Sequence, residues 1–344
     1  MRRPDAAPEI APEFTRGNAV KAIRVHSVGG PENLKYEDAP DPSPGPGQLL
    51  MRVEAAGVNF IEVYQRTGLY KVALPATPGA EAAGRVLALG EGVRDWRIGD
   101  AVATVDALGS YAERALVAAD RAVAIPPGLD AKLAAAVMLQ GMTAHYLACT
   151  TVALAPGDTC VVHAASGGVG LLLVQIAKLR GAHVIGTVSN AAKEKLAREA
   201  GADEVILYTE HDFVAEVKRI TGGAGARVVY DSVGHTTFDG SLACLAPRGM
   251  MALFGQSSGP VPAFDPQILN ARGSLFLTRP TLKHYTATRA ELLDRAGQVL
   301  GWAKEGRLHA RIWREFPLAQ ADDAHRAIES RATTGKLLLV PAGE

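Results

Sequence analysis

Residues 159–190, TCVVHAASGGVGLLLVQIAKLRGAHVIGTVSN, carry the spacing with the clearest chemical meaning. Ser166-Gly167-Gly168-Val169-Gly170 follows a short apolar run, residues 160–163, and precedes the helically spaced residues 171–179. In a strand-turn-helix of this kind, backbone stripped of side chains can approach a pyrophosphate. The unpaired N–H groups and positive dipole end of the helix then meet its charge. Against the G-x-G-x-x-G fingerprint the matching positions are Ala165, Gly167 and Gly170, so alanine replaces the first glycine. A second strand, 183–187, completes a unit of about thirty residues, the context this motif requires.

The end of that second strand discriminates between dinucleotides. An NAD site places Asp or Glu about twenty residues after the glycines begin, to bond the ribose 2′-hydroxyl. Val188 and Ser189 stand there instead, followed by Asn190 and Lys193. No carboxylate repels a 2′-phosphate, and Ser189 and Asn190 can donate hydrogen bonds. One charge-assisted bond contributes roughly 1.5–3 kcal/mol, about a tenfold to hundredfold preference. Taken singly, Lys193 and Lys195 would equally suit the solvated face of a helix; the missing acid decides for NADPH.

The elements that must position this turn alternate. After it come a helix at 191–200, a strand at 204–207, a helix at 212–221, a strand at 227–231, a helix at 238–245 and strands at 249–254 and 274–277. Six strands alternating with helices predict a doubly wound parallel sheet. Asp231-Ser-Val-Gly234 and Phe254-Gly-Gln-Ser-Ser-Gly259 lie just past strand ends, on the edge where such sheets bind ligands. Upstream, short β-like runs at 19–26, 34–37, 48–56, 84–89, 101–105 and 111–117 are separated by glycine turns and by the rigid Asp41-Pro-Ser-Pro-Gly-Pro-Gly47 connector. They predict an antiparallel, barrel-like domain. A long apolar helix at 130–147 leads into the nucleotide unit, and its small residues around Gly141 suggest close packing. Downstream, a helix at 289–305, a strand at 311–314, a helix at 319–330 and a strand at 336–340 return to the first domain.

A chain of 344 residues is long enough for two domains, and Lys plus Arg equals Asp plus Glu at 36 each. That balance argues against nucleic acid or an anionic membrane as main partner. No apolar stretch reaches the roughly twenty residues a membrane helix needs. Cys149, Cys160 and Cys244 form no C-x-x-C pair, which fits a reducing, cytoplasmic setting. Residues 1–18, rich in Pro, Ala and charge without an apolar core, read as a disordered tail. His163 reads as a strand-end core histidine.

Several blocks in one order resemble the medium-chain dehydrogenase/reductases, and within them the zinc-free NADPH quinone oxidoreductases related to zeta-crystallin. They are Gly57-Val-Asn-Phe-Ile-Glu62, Gly68-Leu-Tyr70, Pro78-Gly-Ala-Glu-Ala-Ala-Gly84, Ala164-Ala-Ser-Gly-Gly-Val-Gly170, Val229-Tyr-Asp-Ser-Val-Gly234, Phe254-Gly-Gln-Ser-Ser-Gly259, Thr278-Arg-Pro280 and Glu329-Ser-Arg-Ala-Thr333. The resemblance spans residues 19–341. It implies an α/β architecture: a GroES-like, mostly antiparallel β-barrel catalytic domain at 19–139 and 281–344, with a Rossmann NADPH-binding domain at 140–280 inserted in it. It also implies a homodimer through the edge strand of the nucleotide sheet.

The family's zinc alcohol dehydrogenases carry Cys after the Gly-Val pair and His before the Glu. Asn59 and Ala80 stand at those positions, and no Cys lies between Trp96 and Glu113, so no metal is expected. Without a Lewis acid the substrate must already be electron-poor, such as a quinone or an α,β-unsaturated carbonyl. The resemblance implies that Asn59 and Tyr64 contact substrate or nicotinamide ribose and stabilise developing oxyanion charge, with Tyr70 a weaker candidate. A helix-capping Asn and a packed Tyr are the plainer alternatives. It further implies cofactor contacts from Thr143, Ser166, Gly167, Gly168, Val169 and Gly170, then from Val233, Gly234, Phe254, Gly255, Ser257, Phe276, Leu277 and Thr278. Ser189, Lys193, Tyr208 and Arg331 would surround the 2′-phosphate. The expected activity is NADPH-dependent quinone reduction. The alternatives are reduction of 2-alkenals or substituted acrylates, and a non-catalytic, crystallin-like NADPH-binding protein.

Overall fold

The computed structural model describes residues 19–342, so the expected tail at 1–18 lies outside the described residues. Strands β1 (Val20–Arg24) and β2 (Lys35–Ala39) pair antiparallel in a ladder of their own. The next strands build a larger sheet: β3 (Gln48–Val58), β4 (Ala82–Leu89), β5 (Ala101–Thr104), β6 (Arg114–Ala118) and β7 (Val123–Ala124). Between β3 and β4 lies helix α1 (Phe60–Arg66). It ends where Thr67 and Gly68 turn the chain, Gly68 at φ 82°.

Helix α2 (Ala131–Tyr146) starts at Asp130, whose carboxylate accepts the N–H groups of Lys132 and Leu133. It is apolar over most of its surface and is buried, with β3, β4 and β5 among the elements packed on it. Its small residues have the expected use. A Cβ at Gly141 would lie 2.6 Å from the Val299 side chain, so the glycine lets α9 (Arg289–Lys304) pack close. Large buried residues on α2, Met138 and Met142, contribute about 1.5–3 kcal/mol each by leaving water.

The nucleotide unit runs β8 (Thr159–His163), α3 (Gly168–Leu179), β9 (His183–Val188), α4 (Ala191–Glu199), β10 (Glu204–Leu207), α5 (Phe213–Ile220), β11 (Ala226–Asp231), α6 (Phe238–Ala243), β12 (Leu245–Leu253), α7 (Gln267–Ala271) and β13 (Phe276–Thr278). Its six strands are all parallel, in the order β10-β9-β8-β11-β12-β13. The chain winds outward one way from β8 and the other way from β11, so their carboxyl ends flank the crevice of a doubly wound fold. Helix α8 (Leu282–Tyr285) and α9 follow, then β14 (Ile312–Pro317), α10 (Ala321–Glu329) and β15 (Lys336–Val340). The last strand inserts between β14 and β3, giving a seven-stranded sheet ordered β14-β15-β3-β4-β5-β7, with β6 also on β3. This sheet is antiparallel except for the β14–β15 pair, which α10 connects.

Two strand limits differ from the sequence expectation. The strand read at 249–254 already begins at Leu245, because Arg248 adopts a left-handed conformation (φ 61°) and the register shifts between Ala226 and Val228. The strand read at 274–277 begins at Phe276, since Ser274 is also left-handed (φ 57°). The one parallel pair, β14–β15, agrees with the expectation of a mostly antiparallel sheet.

Candidate functional site

The turn after β8 is built on a non-glycine left-handed residue, Ala164 (φ 51°). Gly167 N–H donates to Ala164 O at 2.8 Å, and Leu171 N–H begins the helical ladder on Gly167 O at 2.9 Å. The N–H groups ahead of Leu171 thus precede the intrahelical bonds and face the crevice as an anion site. The fit to a pyrophosphate is set by missing side chains. A Cβ at Gly170 would stand 2.2 Å from Ala164 O, and one at Gly168 2.2 Å from Gln140 Oε1. Ala165 is tolerated in place of the fingerprint's first glycine because its methyl faces Gly186 on β9, where a Cβ would come within 2.9 Å. The glycine has moved to the neighbouring strand.

The second and third turns are sewn together beside it. Asp231, fully buried at the end of β11, accepts the N–H groups of Val233 (2.7 Å) and Gly234 (2.9 Å). Its other oxygen accepts the hydroxyls of Thr237 and Ser241, both at 2.7 Å. Ser257 and Ser258 N–H donate to Ser232 and Val233 O, which places Phe254, Gly255 and Ser257 against Val233 and Gly234. Gly255 has no room for a side chain, since a Cβ would lie 2.6 Å from Ser232 O. Leu277 and Thr278 follow on β13, whereas the Phe276 ring is 56% exposed at the sheet's free edge. A cavity of about 440 Å³ opens past β12 and β13; Leu253, Val261, Phe264 and Leu277 make it apolar, with Arg279 at its wall. His163 is held between Thr187 Oγ1 (2.8 Å) and Ser241 Oγ (3.0 Å), and burial lowers its pKa, as expected of a core histidine.

At the end of β9, Asn190 caps α4 by accepting Lys193 N–H at 3.0 Å. Lys193 Nζ donates to Arg331 O at 2.6 Å, and the Arg331 guanidinium donates to Ser257 O at 3.2 Å. Burial lowers the Lys193 pKa. Tyr208 N–H bonds Val188 O, and Thr209 Oγ1 bonds Ser189 O at 3.0 Å, which sets the half-exposed Tyr208 beside Ser189. Five expected residues, Ser189, Lys193, Tyr208, Ser257 and Arg331, therefore meet at one corner, and Arg331 arrives from the far end of the chain.

At the other side of the crevice, α1 presents Tyr64. Its hydroxyl oxygen accepts Gln256 N–H at 3.3 Å, and its ring meets Tyr70 edge-on with centroids 5.3 Å apart. Burial raises the Tyr64 pKa, which keeps the hydroxyl protonated and able to donate. Asn59, at the start of the same helix, is turned inward and only 5% exposed. Its Nδ2 donates to Glu81 Oε2 at 2.9 Å, while its Oδ1 accepts Lys336 Nζ at 2.7 Å and Gln140 Nε2 at 3.4 Å. The amide expected to face substrate is engaged by its own protein. Thr143 lies one turn beyond Gln140 on α2, also buried.

Glu81, Gln140, Lys336 and the buried Glu62 are site residues that sequence reasoning missed. A signal existed: Glu81 and Lys336 are charged residues in otherwise apolar, strand-like runs, and a fully buried charge of that kind must be paired.

Comparison with known proteins fits this geometry. Residues 45–127 match the alcohol dehydrogenase GroES-like domain, and residues 168–295 match the zinc-binding dehydrogenase model. A quinone oxidoreductase of Pseudomonas aeruginosa is 43% identical over 323 residues, covering 93% of this chain and 99% of that protein. The chain belongs to the quinone oxidoreductase family of medium-chain dehydrogenase/reductases. The crystal structure of Escherichia coli quinone oxidoreductase complexed with NADPH superimposes with a TM-score of 0.91 at 42% identity, over 93% of this chain and 100% of that one. A 2-haloacrylate reductase from a Burkholderia species is 41% identical over 94% of this chain and 99% of its own length.

The zinc named in the second family model finds no suitable donors in this member. At the two positions where zinc relatives carry Cys and His stand an amide, Asn59, and a methyl group, Ala80, and the Lys336 ammonium already lies against Asn59 and Glu81. Among the described residues no cluster of three or more His, Cys, Asp or Glu side chains could hold a metal.

Proposed function

We propose that this protein reduces quinones with NADPH as the electron donor. The observation that carries the reading is the Lys336 ammonium packed against Asn59 and Glu81, where a metal-dependent relative would need ligands. A reductase without a Lewis acid is best matched to an acceptor whose own π-system delocalises incoming charge, as a quinone does. When bound, NADPH supplies the hydride. Gly167, Gly168, Val169 and Gly170 cradle its pyrophosphate with Ser166 alongside, and Lys193, Arg331, Ser189 and Tyr208 hold the 2′-phosphate. Thr143, Val233, Gly234, Phe254, Gly255, Ser257, Leu277 and Thr278 line the rest, with Phe276 at the rim. Tyr64 is fixed by the Gln256 N–H and directs its hydroxyl proton at the oxygen that gains charge, with Tyr70 edge-on beside it. Asn59 acts from behind, through α1.

In this reading residues 140–280 are the cofactor domain, and 19–139 with 281–344 the catalytic domain; the division at 139/140 passes through α2, which both share. Two chains pair through β13, whose outer edge is free and carries the exposed Phe276, giving a homodimer. Three free cysteines support a cytoplasmic location. The balanced charge supports small molecules, not nucleic acid or membranes, as partners, and among the described residues no helix is long and apolar enough to cross a membrane.

The 2-haloacrylate reductase at 41% identity supports a second reading, reduction of an activated carbon–carbon double bond by the same residues. Steady-state NADPH oxidation with a naphthoquinone, a 2-alkenal and a 2-haloacrylate separates the readings. We expect turnover with the quinone; turnover confined to the alkenal or the acrylate would replace the first reading by the second. NADPH binding without oxidation of any panel member would instead make this a crystallin-like binding protein.

A further inference from the structure

Lys336 is the first residue of β15, and its side chain is 1% exposed. Its ammonium bonds the carboxylate of Glu81, itself 0% exposed, and Asn59 Oδ1 at 2.7 Å. Glu81 uses its second oxygen to accept Leu139 N–H of α2 at 2.6 Å. One buried cluster thus joins β15, the entry to β4, the start of α1 and the middle of α2. It also reaches the nucleotide turn twice. Gln140, which donates to Asn59, fills the space left by Gly168, and Gly335, next to Lys336, bridges Gly167 in parallel register.

A buried ion pair of this type adds little net stability, since removing both charges from water offsets their attraction. What it does fix is direction. Lys336 has donors only and an ionised Glu81 has acceptors only, so the Asn59 amide between them can take just one of its two orientations. We infer that Lys336 is a positioning residue for the reduction. By locking Asn59 it sets the start of α1, and with it the reach of Tyr64 to Gln256 across the crevice. The inference rests on the quinone-reductase reading above.

The test uses the full-length protein and the paired variant Lys336→Met/Glu81→Gln, which removes both charges at similar volume and leaves Asn59 Oδ1 without a cationic donor, the 3.4 Å Gln140 bond remaining. Tm and the NADPH dissociation constant should stay near wild type while kcat with a naphthoquinone drops by about tenfold or more, a split that a purely structural role would not produce. Recovery of kcat to within about twofold of wild type in that folded variant would overturn the inference. Should the melting curve show that the pair does not fold, Lys336→Arg decides. It keeps a donor-only cation and is expected to retain kcat to within about threefold; a loss of about tenfold at unchanged Tm and NADPH affinity would overturn the inference. Wild-type protein that oxidises no NADPH with quinone would refute the functional reading instead, before any variant is compared.

Discussion

Glu62 shows how far a single buried carboxyl can govern behaviour in solution. One of its oxygens accepts Asn59 N–H at 2.9 Å and the other has no partner among the described residues. Burial, opposed by the Lys336 charge and the Asn59 N–H, raises its pKa from 4.5 to about 8. A folded pKa above the unfolded one means that the native state holds the proton more tightly. The stabilisation is complete below about pH 4.5 and is lost as pH rises through about 8. Between about pH 6 and pH 9 wild-type protein should lose on the order of 2–3 kcal/mol of stability by this route. Glu62→Gln, which cannot ionise, should flatten that decline in denaturant titrations across the range. Two more residues can be tested by binding and rate. Lys193→Glu should weaken NADPH by about tenfold or more and leave NADH nearly unchanged, because in the proposed reading the 2′-phosphate is the one part of the cofactor that this side chain would meet. Equal losses for both cofactors in fluorescence titrations would remove Lys193 from the phosphate corner. Tyr64→Phe should cut kcat by about a hundredfold to a thousandfold at nearly constant NADPH affinity, the scale of losing one oxyanion donor. That Ser189 and Lys193 follow β9 with no acid between was legible in the sequence, because it is a local signal. The Asn59 network was not: Asn59, Glu81, Gln140 and Lys336 are far apart along the chain, and only the folded packing of β15 beside β3 brings them together.

Elements explain why the glycine turn could be read and α1 could not. The turn is defined by contacts between near neighbours, Gly170 with Ala164 and Ala165, so its sequence carries its own geometry. Gly170→Ala should therefore destabilise the protein by about 1–3 kcal/mol in urea unfolding and weaken NADPH binding, because the added methyl meets backbone that cannot rotate away. Helix α1 is only seven residues long, too short for apolar periodicity to emerge, and its visible sequence sign was the Asn59/Glu62 start. The doubly wound sheet was foreseeable from alternating strands and helices. The strand limits near Arg248 and Ser274 were not, since both are non-glycine residues in left-handed conformations that tertiary contacts impose. Arg248 N–H, for example, is held by Gly273 O at 2.7 Å.

For the whole molecule, two sheets share α2 and meet again at Lys193, Arg331 and Ser257. The free edge of β13 is where a second copy should add, and Phe276→Asp should shift sedimentation from dimer toward monomer with the fold retained by circular dichroism. An unchanged dimer would place the interface elsewhere. The position of β15, finally, bears on how the protein is made. It lies between β14 and β3, so the strand that completes the larger sheet leaves the ribosome after β14 and long after β3. Residues 159–278 form a contiguous unit that can assemble during translation, but residues 56–58 of the earlier-made β3, beyond the stretch that β6 covers, must wait with that edge bare until residues 336–340 emerge. A nascent chain stalled short of Lys336 would expose that edge to chaperones and proteases.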